Sequence, residues 1–346
     1  MIAFCLSIAT IYAQSSSGGS NTAYAFSRAD GSYGIMSFSL DNYSSFLMRH
    51  SMSDDVRAAA FVEGSYYALL YVDGSPAEIV AYDLATGEKE TVVSTTGNFV
   101  DMAYDYSTQS VLLLQYDYPS SMLVRLNLNT QEFTTLCTFD YTMFAVAADM
   151  SGKIYVADMN GEIYNVDNES YELSSVANTE HYANSSALRS LDFDFNTGKL
   201  YFLANGSWSG SSLYRIDVEA GTSETVGMQD VAYIGLYTGY TAAAPESPAA
   251  PTGLTMTPAA DGSNSCELSW TCPSTSFNRG SIGTLAQATI YRDGEVIATV
   301  DDVTAGRAAT YTDATVTAGM HTYKVTLSND AGEGMFALVE GYVGKE

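Results

Sequence analysis

Aromatic and cationic residues recur where the sequence predicts loops. The stretch ANGSWSGSS, residues 204–212, places Trp208 among glycine and serine, a poor setting in which to bury an indole. Exposed aromatic rings with polar neighbours are suited to stacking on sugars or to holding a peptide. The candidate ligand-binding residues are Trp208, Tyr33, Tyr116, Tyr118, Tyr141, His50, His181, Arg57 and Arg189. The alternative is that the 26 tyrosines are displayed everywhere and that Trp208 folds back over its own strands.

Motifs for cofactors and covalent chemistry are missing from the sequence. It has no Gly-rich phosphate loop, no HExxH motif, no nucleophile elbow and no sialidase-type Asp box. The segment DMNGE, residues 158–162, is similar to the start of a calcium loop, but the later ligands are missing and a polar turn is favoured. Cys266 and Cys272 lie on one predicted strand, about 20 Å apart and beyond disulfide reach. We predict no metal, no cofactor and no catalytic residue.

A repeated hairpin indicates what positions these residues. Five segments each combine an alternating strand, a polar turn and a second strand, at residues 34–50, 78–94, 122–138, 162–178 and 213–227. A further pair of strands precedes each hairpin, and the period of about 40–50 residues with four strands per unit is typical of β-propeller blades. The sequence therefore predicts an all-β chain with a propeller over residues 21–242. Five blades are predicted, closed by strands from both ends, and six is the alternative.

Blade topology assigns the candidate residues to one rim. The loops between the second and third strands of a blade share a face with the connections between blades. The first set carries Tyr33, Tyr116, Tyr118 and Trp208, and the second carries His50, Arg57, Tyr141, His181 and Arg189. Asp105, Asp149 and Asp194 open turns on the other side, where Asx hydrogen bonds explain them better than catalysis.

A second domain follows a Pro- and Ala-rich linker at residues 243–251. The pattern CELSWTCP, then RDGE at 292–295, then GMHTYKVTLSNDAGEG resembles a fibronectin type III domain of secreted, Bacteroidetes-type surface proteins over residues 252–344. The resemblance implies a spacer or adhesion module, with Trp270 in the sandwich core and Tyr323 as a tyrosine-corner anchor. In the first domain, KIYVADMNGEIYNVD at 153–167 is similar to the strand pairs of NHL and YWTD propellers, which are mostly scaffolds for protein binding.

Composition restricts the partners. The net charge of −26, from 40 acidic and 14 basic residues, disfavours nucleic acid and anionic membranes. Residues 1–20 resemble a signal peptide and leader without the basic start, so the chain is expected to be truncated or its signal atypical. No other segment is apolar enough to span a membrane. The expected location is secreted or on the outer surface of a bacterium, with further modules beyond the C-terminus as an open possibility.

Three classes of function fit these observations. The favoured one is an extracellular binding or adhesion protein whose rim recognises a glycan or a protein, with the type III domain as spacer. The alternatives are a glycosidase-like propeller enzyme and a purely structural stalk module. An enzyme would need carboxylates converging on the central channel, such as Asp101 and Asp192. Equivalent positions elsewhere are Ala58, Ala145 and Ser190, which favours tight packing at the axis over catalysis.

Overall fold

The structure is a computed structural model that describes residues 21–28, 33–62, 65–71, 77–83, 87–181, 188–205, 210–239, 243–277 and 280–345. The predicted signal peptide lies outside these residues. The described chain is all-β, which confirms the predicted class. Within it, no helix has the length and hydropathy needed to cross a bilayer.

Five antiparallel sheets of four strands occupy residues 22–238. The first sheet contains β1 (Thr22–Ser27), β2 (Gly34–Ser39), β3 (Asn42–Ser51) and β20 (Tyr233–Thr238). The second contains β4 (Val56–Val62), β5 (Ser65–Leu70), β6 (Ala77–Tyr82) and β7 (Lys89–Thr95). The third contains β8 (Phe99–Asp105), β9 (Ser110–Asp117), β10 (Ser120–Asn127) and β11 (Glu132–Phe139). The fourth contains β12 (Met143–Ala148), β13 (Ile154–Asp158), β14 (Glu162–Val166) and β15 (Leu173–Asn178). The fifth contains β16 (Arg189–Asp194), β17 (Lys199–Asn205), β18 (Ser211–Asp217) and β19 (Thr222–Gln229).

Burial falls from the first to the last strand of each sheet, and the sequence explains why. The first strand β12, MFAVAA, is buried at every residue, since its faces pack against neighbouring sheets and its small side chains allow close approach. The last strand β11, EFTTLCTF, is mostly exposed or half-buried and carries threonines and a glutamate. The five first strands, β20, β4, β8, β12 and β16, contact one another in that cyclic order. The sheets therefore surround one axis in a propeller-like arrangement.

The first sheet joins the two ends of this region. Strand β1 pairs with β2 on one side and with β20 on the other, so that Ala23 lies opposite Thr238. The rings of Tyr24 and Tyr237 stack at a centroid distance of 4.8 Å across the same pair. The sheet thus contains strands from near both ends of the described region.

Close packing and hydrogen bonds join the first strands of different sheets at the axis. A Cβ added at Gly235, where φ is +61°, would lie 2.8 Å from the Cβ of Ala59, so the first and second sheets meet at a position that requires glycine. Asp101 is fully buried, and its Oδ2 accepts hydrogen bonds from the amides of Val146 at 2.9 Å and Leu191 at 3.2 Å. One carboxyl group therefore links three sheets.

A second set of hydrogen bonds joins a further pair of first strands at the axis. The Ser190 hydroxyl accepts the amide of Gly235 at 2.9 Å, and Asp192 Oδ2 accepts the amide of Thr238 at 2.6 Å and its hydroxyl at 2.9 Å. These contacts join the fifth sheet to β20. Burial raises the pKa of Asp192 to about 8, and burial together with the charge of Asp192 raises the pKa of Asp101 well above its usual value.

Turns at the opposite ends of the strands are held by aspartates, as the sequence predicts. Asp105 accepts the amide of Ser107 at 2.8 Å, and Asp194 accepts the amide of Asn196 at 3.0 Å. Asp149 bonds the amides of Ser151 and Lys153 in the same manner. These carboxylates close their own turns.

A second unit of two packed sheets follows. One sheet has the order β21 (Thr252–Pro258), β22 (Cys266–Thr271), β25 (Ala308–Asp313). The other has the order β24 (Glu295–Val300), β23 (Gln287–Arg292), β26 (Gly319–Asn329), β27 (Gly332–Val343). Side chains of both sheets form a single apolar core that includes Trp270, which is 2% exposed, and Tyr323, which is fully buried. Cys266 and Cys272 are buried free thiols.

The buried hydroxyl of Tyr323 contacts side chains. It donates to Asp313 Oδ2 at 2.8 Å and accepts a bond from the Cys266 thiol at 3.2 Å. Asp313 is also fully buried, pairs with Arg292, and accepts the amide and hydroxyl of Thr315, each at 2.8 Å. In a tyrosine corner the hydroxyl bonds the backbone. Here Tyr323 anchors the turn after β25 through a carboxylate.

The linker packs on the second unit. The carbonyl of Glu246 accepts a hydrogen bond from Asn329 at 2.9 Å, Ser247 accepts the amide of Phe277 at 2.7 Å, and Pro248 accepts the amide of Met335 at 3.0 Å. Phe277 also stacks on Tyr106, in the turn after β8, with centroids 5.7 Å apart. Lys199, at the start of β17, pairs with Glu340 of β27 at 3.4 Å. The second unit therefore contacts the turns that follow the first strands.

The axial carboxyl groups generate the first prediction. Asp101→Ala leaves two buried amides unpaired and should lower the free energy of unfolding by about 2–4 kcal/mol. Asp101→Asn keeps an acceptor for both amides and should change stability by less than about 1 kcal/mol at pH 5. Denaturant titration of the intact chain, read by circular dichroism, measures both.

The pH dependence of the same variant is a second readout. In the unfolded chain Asp101 ionises near pH 4, whereas the folded protein keeps it protonated, so the folded state binds more protons above that pH. Asp101 and Asp192 therefore contribute stability that is lost as pH rises from about 4 through about 8, the folded pKa of Asp192. Asp101→Asn should show a smaller loss between pH 5 and pH 8. Parallel pH profiles for the two proteins would contradict the buried, protonated state.

The hydroxyl–carboxylate anchor of the second unit generates another prediction. Tyr323→Phe removes one buried hydrogen bond and should cost about 1–2 kcal/mol, whereas Asp313→Ala leaves Arg292 without its partner and should cost about 3–5 kcal/mol. The chain has two tryptophans, so a Trp208→Phe background makes Trp270 the reporter of this unit by fluorescence. Equal losses for the two variants would show that Asp313 has no role beyond bonding Tyr323.

Candidate functional site

Topology gives the first 20 strands two distinct faces. The turns after the first strands of the sheets, with Tyr106 and Lys199, contact the second unit. We call this the bottom face. The ends of the second strands and the connections between sheets lie at the opposite side, which we call the top face. It includes Tyr33, the segment after β3, Tyr71, the segments after β9, β11, β13 and β15, and the start of β16.

Among the described residues, four tyrosines are exposed on the top face. Tyr118 is 75% exposed, Tyr141 is 45%, Tyr71 is 41% and Tyr33 is 36%. Tyr118 and Tyr141 lie on adjacent loops, because the hydroxyl of Thr142 donates to the carbonyl of Pro119 at 3.1 Å. The rings of Tyr118 and Tyr141, on adjoining loops, combine apolar area with hydroxyl groups, a chemistry suited to contact with a partner.

Arginines flank one of these tyrosines. The guanidinium of Arg57 lies 4.7 Å from the ring centroid of Tyr71 and pairs with Asp55 at 3.3 Å. Asp55 also pairs with Arg28 at 3.2 Å. The cation–π contact covers one face of the Tyr71 ring and holds it in place. The group offers a fixed aromatic ring beside two arginines that share one carboxylate.

Arg189 occupies a different environment. It begins β16 and is fully buried, with its guanidinium 4.5 Å from the ring centroid of Phe144. Its Nη2 donates to the carbonyl of Met159 at 3.3 Å. Among the described residues, Nε and Nη1 have no hydrogen-bond partner. Burial lowers the pKa of Arg189 to about 10, with the charge of Asp158 opposing the shift.

His181 lies beside this arginine. Its Nδ1 is 3.0 Å from the Tyr214 hydroxyl, and the two rings meet edge to face. Burial first, and the nearby charge of Arg189 second, lower the pKa of His181 below its usual value. The imidazole is therefore neutral at pH 7, and the positive charge of this part of the top face resides on Arg189.

The Asp158 carboxylate accepts hydrogen bonds within the turn between β13 and β14. Its Oδ1 accepts the amides of Asn160 at 2.8 Å and Glu162 at 3.0 Å. This is the polar turn favoured from the sequence for the DMNGE segment. The carboxylate is committed to its own turn and makes no ion pair with Arg189 among the described residues.

The remaining predicted site residues are dispersed. Tyr116 is half-buried, with its ring 6.0 Å from Phe144, so it supports the surface beneath Arg189. His50 faces Gly87 of the next sheet, where an added Cβ would lie 1.9 Å from the imidazole Cε1. Trp208 lies outside the described residues. The structure thus brings Arg189, His181 and Tyr116 into one neighbourhood and places Arg57 beside Tyr71, away from His50.

Asp101 and Asp192 hold the sheets together at the axis and are not a matched pair of catalytic carboxylates. One oxygen of each accepts two donors from neighbouring first strands. A general acid and base must reach a substrate on both sides of the scissile bond. Asp101 is fully buried among strands, so the geometry does not provide this access.

Several top-face residues were not predicted from the sequence. Tyr71 directly follows the buried strand SYYALL. Its position just beyond the end of a strand could have indicated an exposed loop residue. Phe144 and Tyr214 lie inside strands, where alternation indicates only core or sheet positions. Asn205, at the end of β17, donates to the carbonyls of Leu188 at 2.7 Å and Tyr233 at 2.9 Å, and no sequence pattern indicates these partners.

Comparison with known proteins gives neither a family nor a curated relative. No family model and no curated protein matches the chain. Among solved structures, TolB from Acinetobacter baumannii aligns with 84% of this chain and 66% of its own at 16% identity and a TM-score of 0.43. A nidogen/laminin complex aligns with 62% of this chain and 97% of its own at 13% identity and a TM-score of 0.41. A Lactobacillus plantarum protein aligns with 94% of this chain and 97% of its own, at 14% identity and a TM-score of 0.34. The chain thus spans just under two thirds of the TolB chain.

Proposed function

We propose that this chain is an extracellular binding module whose top face recognises another macromolecule. The observation that carries the proposal is the set of four exposed tyrosines on the face opposite the second unit. Tyrosine is enriched in protein–protein interfaces, where it contributes a large ring and a hydroxyl at low entropic cost. The tyrosines are distributed over loops of the first, second and third sheets, which suits a broad protein surface as partner.

The architecture supports this proposal. The five sheets are interpreted as the blades of a closed five-bladed propeller, because their first strands contact one another in a cycle and β20 completes the first sheet. The second unit is interpreted as a fibronectin type III-like sandwich, since its three- and four-stranded sheets pack around Trp270 and Tyr323. A sandwich on the bottom face leaves the top face free for the ligand and directs that face away from the second unit.

A glycan is the second candidate ligand. The ring of Tyr71, fixed by the Arg57 guanidinium on one side, offers its other side for stacking on a sugar. The signal-like leader and the resemblance to surface proteins favour secretion or attachment to the outer surface of a bacterium in either case. The catalytic alternative has less support, because the axial carboxyl groups are engaged in cross-sheet hydrogen bonds.

The test pairs a tyrosine-deletion variant with a matched control. Tyr118→Ala combined with Tyr141→Ala removes the two most exposed rings of the top face and should change stability by less than about 0.5 kcal/mol per site. Partner affinity should fall by about tenfold or more, since each hot-spot tyrosine contributes upwards of about 1 kcal/mol. Tyr342→Ala deletes a tyrosine of the second unit that is 36% exposed, and it should bind as wild type does.

Both ligand classes are measured with the same three proteins. Extracellular proteins of the source organism that wild type captures are titrated by surface plasmon resonance, and a glycan array is probed in parallel. Loss of binding in the double variant alone supports recognition by the top face. Equal binding by wild type and the double variant would place the ligand elsewhere, and absence of any ligand for all three would favour the structural stalk module.

A further inference from the structure

The guanidinium of Arg189 is a buried charge without a counter-ion in the described part of the chain. It is fully buried, it makes one hydrogen bond, to the Met159 carbonyl, and its Nε and Nη1 have no partner there. An isolated charge taken out of water costs several kcal/mol unless an opposite charge or a set of hydrogen bonds compensates it. The Phe144 ring supplies a cation–π contact but cannot accept two N–H bonds.

Other arginines of the chain show how unusual this is. Arg57, Arg125, Arg215 and Arg292 each pair with a carboxylate, as expected in a protein with 40 acidic and 14 basic residues. The nearest acid that influences Arg189 is Asp158, and its Oδ1 accepts the amides of the following turn. No carboxylate of the described residues pairs with this buried arginine, so a bound anion would supply the missing counter-ion.

We propose that Arg189 forms an enclosed binding site for a small monovalent anion, a halide or a short carboxylate such as acetate. The full burial of Arg189 limits the size of the ligand, and the single guanidinium limits its charge. Three N–H bonds remain on these two nitrogens, one on Nε and two on Nη1, and the Nε–H bond points to a different edge of the guanidinium from those of Nη1. The anion would therefore accept from one of the two nitrogens, through a charge-assisted hydrogen bond that is roughly twice as strong as a neutral one. The bound anion would tie the start of β16 to the end of β13, because Met159 directly follows β13. This proposal is independent of the ligand of the top face.

Thermal unfolding in three sodium salts tests the site. Wild type is compared in chloride, in acetate and in gluconate, whose bulk excludes it from an enclosed site, at equal ionic strength. We expect the midpoint to be about 2–4 °C higher in chloride or acetate than in gluconate. Arg189→Met should abolish this difference, whereas Arg215→Met, which removes an arginine paired with Glu224, should retain it. Equal midpoints for wild type in all three salts, or an unchanged salt response in Arg189→Met, would overturn the proposal.

Relative stability gives a second, independent readout. Without a small anion the buried charge is uncompensated, so Arg189→Met should be at least as stable as wild type in gluconate and less stable in chloride or acetate. An arginine that acts only through its bonds to Met159 and Phe144 would make the variant less stable in every salt. If Arg189→Met fails to fold, the site is tested by soaking bromide into crystals of the wild-type protein. An anomalous peak within hydrogen-bonding distance of the guanidinium supports the site, and its absence there overturns it.

Discussion

The pairing of β1 with β20 is the constraint on which the first unit depends. The two strands come from opposite ends of the region, yet they form neighbouring strands of one sheet, with Ala23 opposite Thr238. Without that pairing β20 would lack its sheet and β1 an inner neighbour, leaving backbone donors and acceptors exposed on strands that are otherwise buried. The cyclic contacts of the five first strands follow from it, because β20 provides the contacts to β4 and β16. This contact closes a loop of about 200 residues, which costs conformational entropy and slows folding.

The mutual contacts of the five first strands crowd the axis, and the crowding explains the residues found there. Ala59 and Gly235 allow backbones to approach to a distance that larger side chains would prevent. The first strands have edges that face the axis, where no further strand supplies partners. Asp101, Ser190 and Asp192 satisfy those amides from their side chains. Burial disfavours the charged form of Asp101 and Asp192 and raises their pKa values, although the donors that they accept favour the charged form. Acidic residues at the centre therefore have a structural explanation.

The hairpin repeat could be predicted because it is local. Alternation, polar turns and a regular period all belong to segments of about 15 residues, and the observed β18 and β19 lie where the segment at 213–227 predicts two strands. Asx turns were predictable for the same reason. The linker could be predicted from its composition, but the bonds of its carbonyls to Asn329, Phe277 and Met335, all distant in sequence, could not. Side-chain contacts between sheets, such as that of Arg189 with Phe144, could not be predicted from the sequence either. The residues around an arginine at the start of a strand do not show whether its side chain is buried or exposed.

The top face combines two kinds of positive charge, and their difference decides what each can do. Arg28 and Arg57 share Asp55 and remain partly exposed, so one of their two charges is balanced and the other is screened by solvent. The contribution of Arg57 to binding a ligand is mostly geometric, through Tyr71. Arg189 has no such balance, and its burial makes any anion that reaches it bind strongly and any neutral group bind poorly. An excess of 26 negative charges lowers the local concentration of anions near the protein, so only a site that compensates an existing buried charge would retain one. Under the two proposals, the exposed tyrosines would contact a broad surface and the buried arginine a single small ion, so the two sites would differ in the physical basis of recognition.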